Sequence, residues 1–133
     1  MNSTVSEIIS SLYKNENLSP EEFSSYVSKL DFKYPQDYLD IIKEYNGIEG
    51  QLGNSYIAIW PTDEVMEVNS QYNKSDKVIA EKYFVFGSNS GIYNYAFNKS
   101  DGSIIELDMY DESYAVHCGN SILELLTYLN SKT

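Results

Sequence analysis

The sequence predicts an α+β fold: a mostly antiparallel, twisted sheet of about five to six strands flanked by helices, in a single domain over residues 1-133. Three observations carry this expectation. Apolar residues recur at helical spacing through the first third of the chain. At Tyr56 the texture changes to short apolar runs broken by turn residues, and helical spacing returns after Gly119. A chain of this size exposes roughly 7,000 Å² when folded against about 22,000 Å² unfolded, enough burial for one core without staples.

Thr4 and Glu7 stand at capping-box spacing around Val5, with Ile8, Ile9 and Leu12 on the same stripe, so the first helix is expected to run to Lys14. Ser19-Pro20-Glu21-Glu22 combines a hydroxyl cap, a first-turn proline and carboxylates at the positive end of a second helix, whose Phe23, Tyr26, Val27 and Leu30 share a face. Tyr34 precedes a proline and is expected to be extended. Pro35 then opens a third helix carrying Tyr38, Leu39, Ile41, Ile42 and Tyr45 and closing at Asn46-Gly47.

Strands are expected at Tyr56 to Trp60, Tyr83 to Phe86, Ile92 to Phe97, Ser103 to Leu107 and Ser113 to Cys118. The turn Lys99-Ser100-Asp101-Gly102 supplies the positive φ of a tight hairpin, and Tyr110-Asp111-Glu112 reads as a second reversal, so sequential strands pair antiparallel. Between the first two strands, Pro61-Thr62-Asp63-Glu64 caps a short helix with Val65, Met66 and Asn69 on one face, followed by a polar loop through Lys77. Gly119-Asn120-Ser121 caps a last helix whose Ile122, Leu123, Leu125, Leu126 and Leu129 pack back on the sheet.

Charge narrows the function. Twenty acidic residues against nine basic ones give a net charge of −11, and all nine basic residues are lysine. Without arginine, whose planar fork grips phosphates and guanine edges, a direct nucleic-acid ligand is disfavoured. A basic protein partner suits the negative field, although solubility alone also explains it.

The inventory of reactive groups is short. Cys118 is the single cysteine and His117 the single histidine, which excludes an internal disulfide and a structural zinc framework. As neighbours on a strand they point to opposite faces, so they read as a core thiol beside a half-exposed imidazole rather than a nucleophile and its base. Gly87-Ser88-Asn89-Ser90-Gly91 lacks the lysine and following helix of a phosphate loop and reads as a turn. Asp108, Asp111 and Glu112 match no calcium loop. No catalytic residue, cofactor or metal is expected. With neither a basic leader nor a long apolar run, the expected location is the cytoplasm, away from membranes.

Tyrosine is abundant, with thirteen copies. Tyr38, Tyr45 and Tyr95 follow core periodicity, whereas Tyr72 and Tyr110 fall in expected loops, where an aromatic ring can meet a partner. The candidate partner-binding residues are Glu106, Asp108, Tyr110, Asp111 and Glu112, an acidic run with an aromatic around the last reversal. A solvated hairpin tip would give the same run.

Taken together, Leu18-Ser19-Pro20-Glu21-Glu22, Tyr34-Pro35-Gln36-Asp37-Tyr38 and Tyr45-Asn46-Gly47 resemble the N-terminal signature of the SUKH superfamily, which includes fungal Smi/Knr cell-wall regulators and bacterial immunity proteins. Ile57-Ala58-Ile59-Trp60-Pro61, Phe86-Gly87, Tyr95-Ala96-Phe97 and Gly119-Asn120-Ser121 continue the series in order; Ile122 stands where an aromatic is common. The resemblance implies a SUKH-like (Smi/Knr-like) domain without catalytic residues that works by binding. It implies an immunity protein that occludes a cognate toxin, foremost a basic nuclease. The alternative is a regulatory scaffold of the fungal type that binds signalling partners; an enzyme with an unrecognised carboxylate site is a third possibility.

Overall fold

Each strand of the sheet is bonded to its neighbours in sequence. In the computed structural model, which describes residues 1–132, the elements are α1 (Ser3–Ile9), β1 (Tyr13–Lys14), α2 (Pro20–Ser28), α3 (Gln36–Glu44), β2 (Ile48–Leu52), β3 (Ser55–Ile59), α4 (Thr62–Ser75), α5 (Lys77–Lys82), β4 (Tyr83–Ser88), β5 (Tyr93–Asn98), β6 (Ile104–Asp108), β7 (Asp111–Gly119) and α6 (Ile122–Ser131). The described strands form one antiparallel sheet in the order β1-β2-β3-β4-β5-β6-β7. The α+β architecture is the expected one, with seven strands instead of five or six.

Alternation along the strands sends side chains into two layers. On one face, Ile57, Ile59, Phe86, Phe97 and Ile104 meet Val5 of α1, Tyr26 of α2, Tyr38, Ile41 and Ile42 of α3, and Leu125 of α6 in the main core. Tyr38 lies edge-on to Phe86 and Phe97, at 5.5 and 4.9 Å between ring centres, and those two rings stack at 4.2 Å. Its hydroxyl meets that of Tyr26 at 2.6 Å, which satisfies both buried phenols. On the other face Val85, Ala96, Ile105 and Leu107 form a smaller cluster under Trp60, Val68, Tyr72 and Tyr83.

Local chemistry explains where the elements begin and end. Ser19 and Glu22 form the expected capping box of α2. The first helix differs: Asn2, not Thr4, is its cap, accepting Thr4 N–H at 2.8 Å. It stops at Ile9 rather than Lys14, because the Lys14 ammonium folds back onto the carbonyls of Ile9, Ser10 and Leu12 at its C-terminal end. Tyr13 and Lys14 are thereby left extended to pair with Glu49 and Ile48.

One strand was not expected and one expected loop is corrected. Ile48–Leu52 is a strand, paired with β3 around the two-residue turn Gly53-Asn54, where Gly53 takes a φ of 58°. The polar stretch through Lys77 is helical, since α4 continues to Ser75 and Asp76 caps α5 by accepting Ile79 N–H at 3.2 Å. The carboxamide of Asn69 on α4 donates to Val85 C=O at 2.7 Å and accepts Val85 N–H at 2.9 Å, filling the place of a ladder partner on the edge of β4 beyond β3.

The motifs behind the family resemblance are joints of this fold. Pro61 has no side-chain cap to offer α4, and Asn46 Oδ1 supplies one by accepting Thr62 N–H at 2.9 Å. Gly47 beside it has a φ of 107°, which favours glycine, and packs against Asn15 and Pro61. The carboxylate of Asp37 on α3 reaches the N-terminus of α6.

Candidate binding groove and hairpin tip

The five residues expected at a partner surface do not all lie at the surface of the molecule. Asp108 pairs with Asp111 across the turn Met109-Tyr110, so the reversal lies one residue earlier than Tyr110-Asp111-Glu112 implies. Asp108 Oδ1 accepts Tyr110 N–H at 2.8 Å, while Asp111 Oδ1 accepts the N–H and hydroxyl of Ser113 at 3.0 and 2.6 Å. Those bonds hold the Asp111 carboxyl below the usual carboxylate range. Tyr110 is 82% exposed, Met109 55% exposed, and Glu112 projects beside them. Asp108, Tyr110, Asp111 and Glu112 therefore share one tip.

Glu106 is different, because it is 2% exposed. The alternation of β6 turns it inward, where Tyr114 donates to its Oε1 at 2.9 Å. Burial, then the nearby Glu106 charge, holds the Tyr95 phenol well above its ordinary range. The same two causes push the Cys118 thiol up to about 11. Glu106 thus belongs to a buried polar cluster and is not presented at the tip. Cys118 is buried and His117 exposed, as their opposite directions on β7 require.

A groove of about 670 Å³ lies beside the tip, between α4 and the sheet. Glu49, Ala58, Ser88 and Asn94 from β2 to β5 form its floor; Glu64, Val68, Gln71 and Tyr72 of α4 form a wall, with Trp60 at the junction. Its depth follows from the sequence. Strands β3 and β4 pair only through Ala58 with Ser88 and Ile59 with Gly87, and the short side chains there leave space that Ile105 and Leu107 fill further along. Gly87 is required at this crossing, since a Cβ would collide with the carbonyl oxygen of Ala58.

The groove is acidic. Tyr56 donates to Glu49 Oε2 at 2.7 Å. Partial burial, then the charges of Asp63, Glu49 and Glu67, raise the Glu64 carboxyl above its ordinary range. Met109 lines the same groove and its N–H bonds to Ile92 C=O at 2.8 Å, so tip and groove form one surface. Tyr72, expected in a loop, lines the groove from a helix. Sequence reasoning missed the groove because its walls come from five separated segments; the carboxylates of Pro61-Thr62-Asp63-Glu64 beside Trp60 were the available signal.

No described helix is long and apolar enough to cross a membrane. A comparison with curated proteins finds no match. Residues 17–127 match the SMI1/KNR4 family (SUKH-1), a span that takes in every element from α2 to β7 and the first turns of α6. With the ordered motifs, the antiparallel sheet and this match in agreement, the chain belongs to the SMI1/KNR4 family (SUKH-1).

Proposed function

We propose that this protein is an immunity protein that acts in the cytoplasm, binding a basic toxin domain and neutralising it by covering its active or substrate-binding surface. The observation that carries this reading is the joined surface of groove and hairpin tip. Carboxylates from both parts, Glu49 and Glu64 with Asp108, Asp111 and Glu112, flank the exposed apolar side chains of Met109 and Tyr110. Apolar anchors ringed by charge are the ordinary make-up of a protein interface. A nuclease holds nucleic acid on a basic surface, and an acidic protein docked there blocks the substrate by occupying the same field. The net charge of −11 would also speed encounter with such a partner. The family's occurrence in immunity proteins and in fungal members supports binding as the mode of action.

Co-expression with the toxic domain encoded by the neighbouring gene tests the proposal. The expected result is restored growth and a stable complex that survives gel filtration. Continued killing by that toxin, with the folded protein abundant in the cell and no complex formed, would sink it.

A further inference from the structure

We infer that the groove between α4 and the sheet is an arginine slot: it receives the guanidinium of an arginine carried by the partner protein. The inference deepens the binding role proposed above and rests on it, naming the side chain that the surface reads.

Carboxylates and large aromatic side chains stand among the groups that line the cavity. Glu49 and Glu64 line it as carboxylates, and the charges acting on Glu64 come from Asp63, Glu49 and Glu67, all negative. A carboxylate surrounded by its own kind gains from any cation that enters. Trp60 and Tyr72 line the same cavity with aromatic rings, the surfaces on which a cation rests most favourably.

Asn94 points independently to a ligand. Its side chain is buried, with 7% of the residue exposed, and lines the groove. Its Nδ2 donates to the Tyr72 hydroxyl at 3.3 Å, while its Oδ1 accepts no hydrogen bond among the described residues. Because no buried side-chain oxygen among the described residues lacks a partner, this carbonyl opens to the cavity that Asn94 lines. A free acceptor on the floor of the groove is placed to take a donor from a bound partner.

A guanidinium matches this set. It is planar, carries five N–H donors and no acceptor, and stays charged at any physiological pH. It can therefore serve carboxylates and the Asn94 carbonyl at once while lying against an aromatic ring, which a compact ammonium does less well. The chain contains no arginine, so a second copy cannot fill the slot and the ligand must come from another protein.

The test titrates the full-length, isotope-labelled protein with the end-blocked peptide Gly-Gly-Arg-Gly-Gly and with its lysine and citrulline counterparts. The single tryptophan gives an unambiguous indole N–H signal, followed together with the Asn94 carboxamide. The arginine peptide is expected to shift both signals saturably, with a dissociation constant on the order of 1 mM. The lysine and citrulline peptides are expected to bind at least about fivefold more weakly, and a Glu49→Gln/Glu64→Gln double variant about tenfold more weakly, in line with the loss of charge-assisted bonds. Equal binding of the three peptides, or unchanged binding by the double variant with its amide spectrum intact, would overturn the slot. The toxin assay separates the two levels: growth rescue without arginine binding removes the slot alone, whereas arginine binding without rescue removes the immunity reading and leaves the slot.

Discussion

Asp37 holds Ile122 across 85 positions of sequence: its Oδ1 accepts Ile122 N–H and its Oδ2 accepts Leu123 N–H, both at 2.9 Å. Ser121 Oγ takes the next donor, Glu124 N–H, at 3.1 Å. The first three amides of α6 are thus all satisfied, two of them by another helix. The negative carboxylate also sits at the positive end of the helix dipole.

Replacing Asp37 with alanine is therefore expected to lower stability by about 2 kcal/mol, and with asparagine by less, since one acceptor survives. Urea unfolding of the three proteins checks the order. Equal midpoints would mean that Ser121 and solvent suffice at this helix end.

The Tyr26 and Tyr38 hydroxyls satisfy only each other in the main core. Tyr38→Phe leaves the Tyr26 hydroxyl buried without its partner, at an expected cost of about 1–3 kcal/mol. The double variant Tyr26→Phe/Tyr38→Phe removes both polar groups and is expected to be no less stable than the single one. A double-mutant cycle measures the coupling directly; strictly additive losses would contradict it.

Alkaline pH is expected to weaken the fold. Burial raises the Tyr26 and Tyr38 phenols, and burial with the Glu106 charge raises Tyr95 and moves the Cys118 thiol from 9.0 to about 11. The folded state keeps these protons after the unfolded chain has released them. Their stabilising contribution is thus complete below the unfolded pKa values and falls as pH rises, for Cys118 between about 9 and 11. Cys118→Ala is expected to flatten the profile in that window. Thermal unfolding from pH 8 upward gives the slope, and a stability that rises over this range would contradict the sign.

Charge reversal at the tip tests the proposed partner surface. Asp108→Lys with Asp111→Lys is expected to slow association with the toxin domain about tenfold at low salt and to reduce the salt dependence of the rate. Stopped-flow mixing at several ionic strengths resolves this, and unchanged rates would take the tip out of the interface.

Much of the fold was readable where one residue type has one local solution. Ser19-Pro20-Glu21-Glu22 starts a helix and Asp101-Gly102 turns a hairpin whatever surrounds them. What escaped depends on distant partners. Ile48–Leu52 carries a glycine and two polar residues between its apolar ends, and it is a strand because β3 and β1 pair with it on either side. The polar stretch 70–75 looks like a loop, yet it is the mostly exposed continuation of a helix whose Val68, Asn69 and Tyr72 meet the sheet. Of the tip, Asp108, Tyr110, Asp111 and Glu112 were legible as an exposed reversal, whereas the burial of Glu106 depended on Tyr114 reaching across from β7.

The agreement between strand order and chain order has a consequence for biosynthesis. From β2 onward, each strand finds its first partner in the strand made just before it, so the sheet can grow as the polypeptide leaves the ribosome. The exception is the clasp between Asp37 and the last helix, which must wait for nearly the entire chain. Translation arrested before that helix would leave uncovered the part of the main core that Ile122, Leu125, Leu126 and Leu129 close, a species prone to stick to other nascent chains.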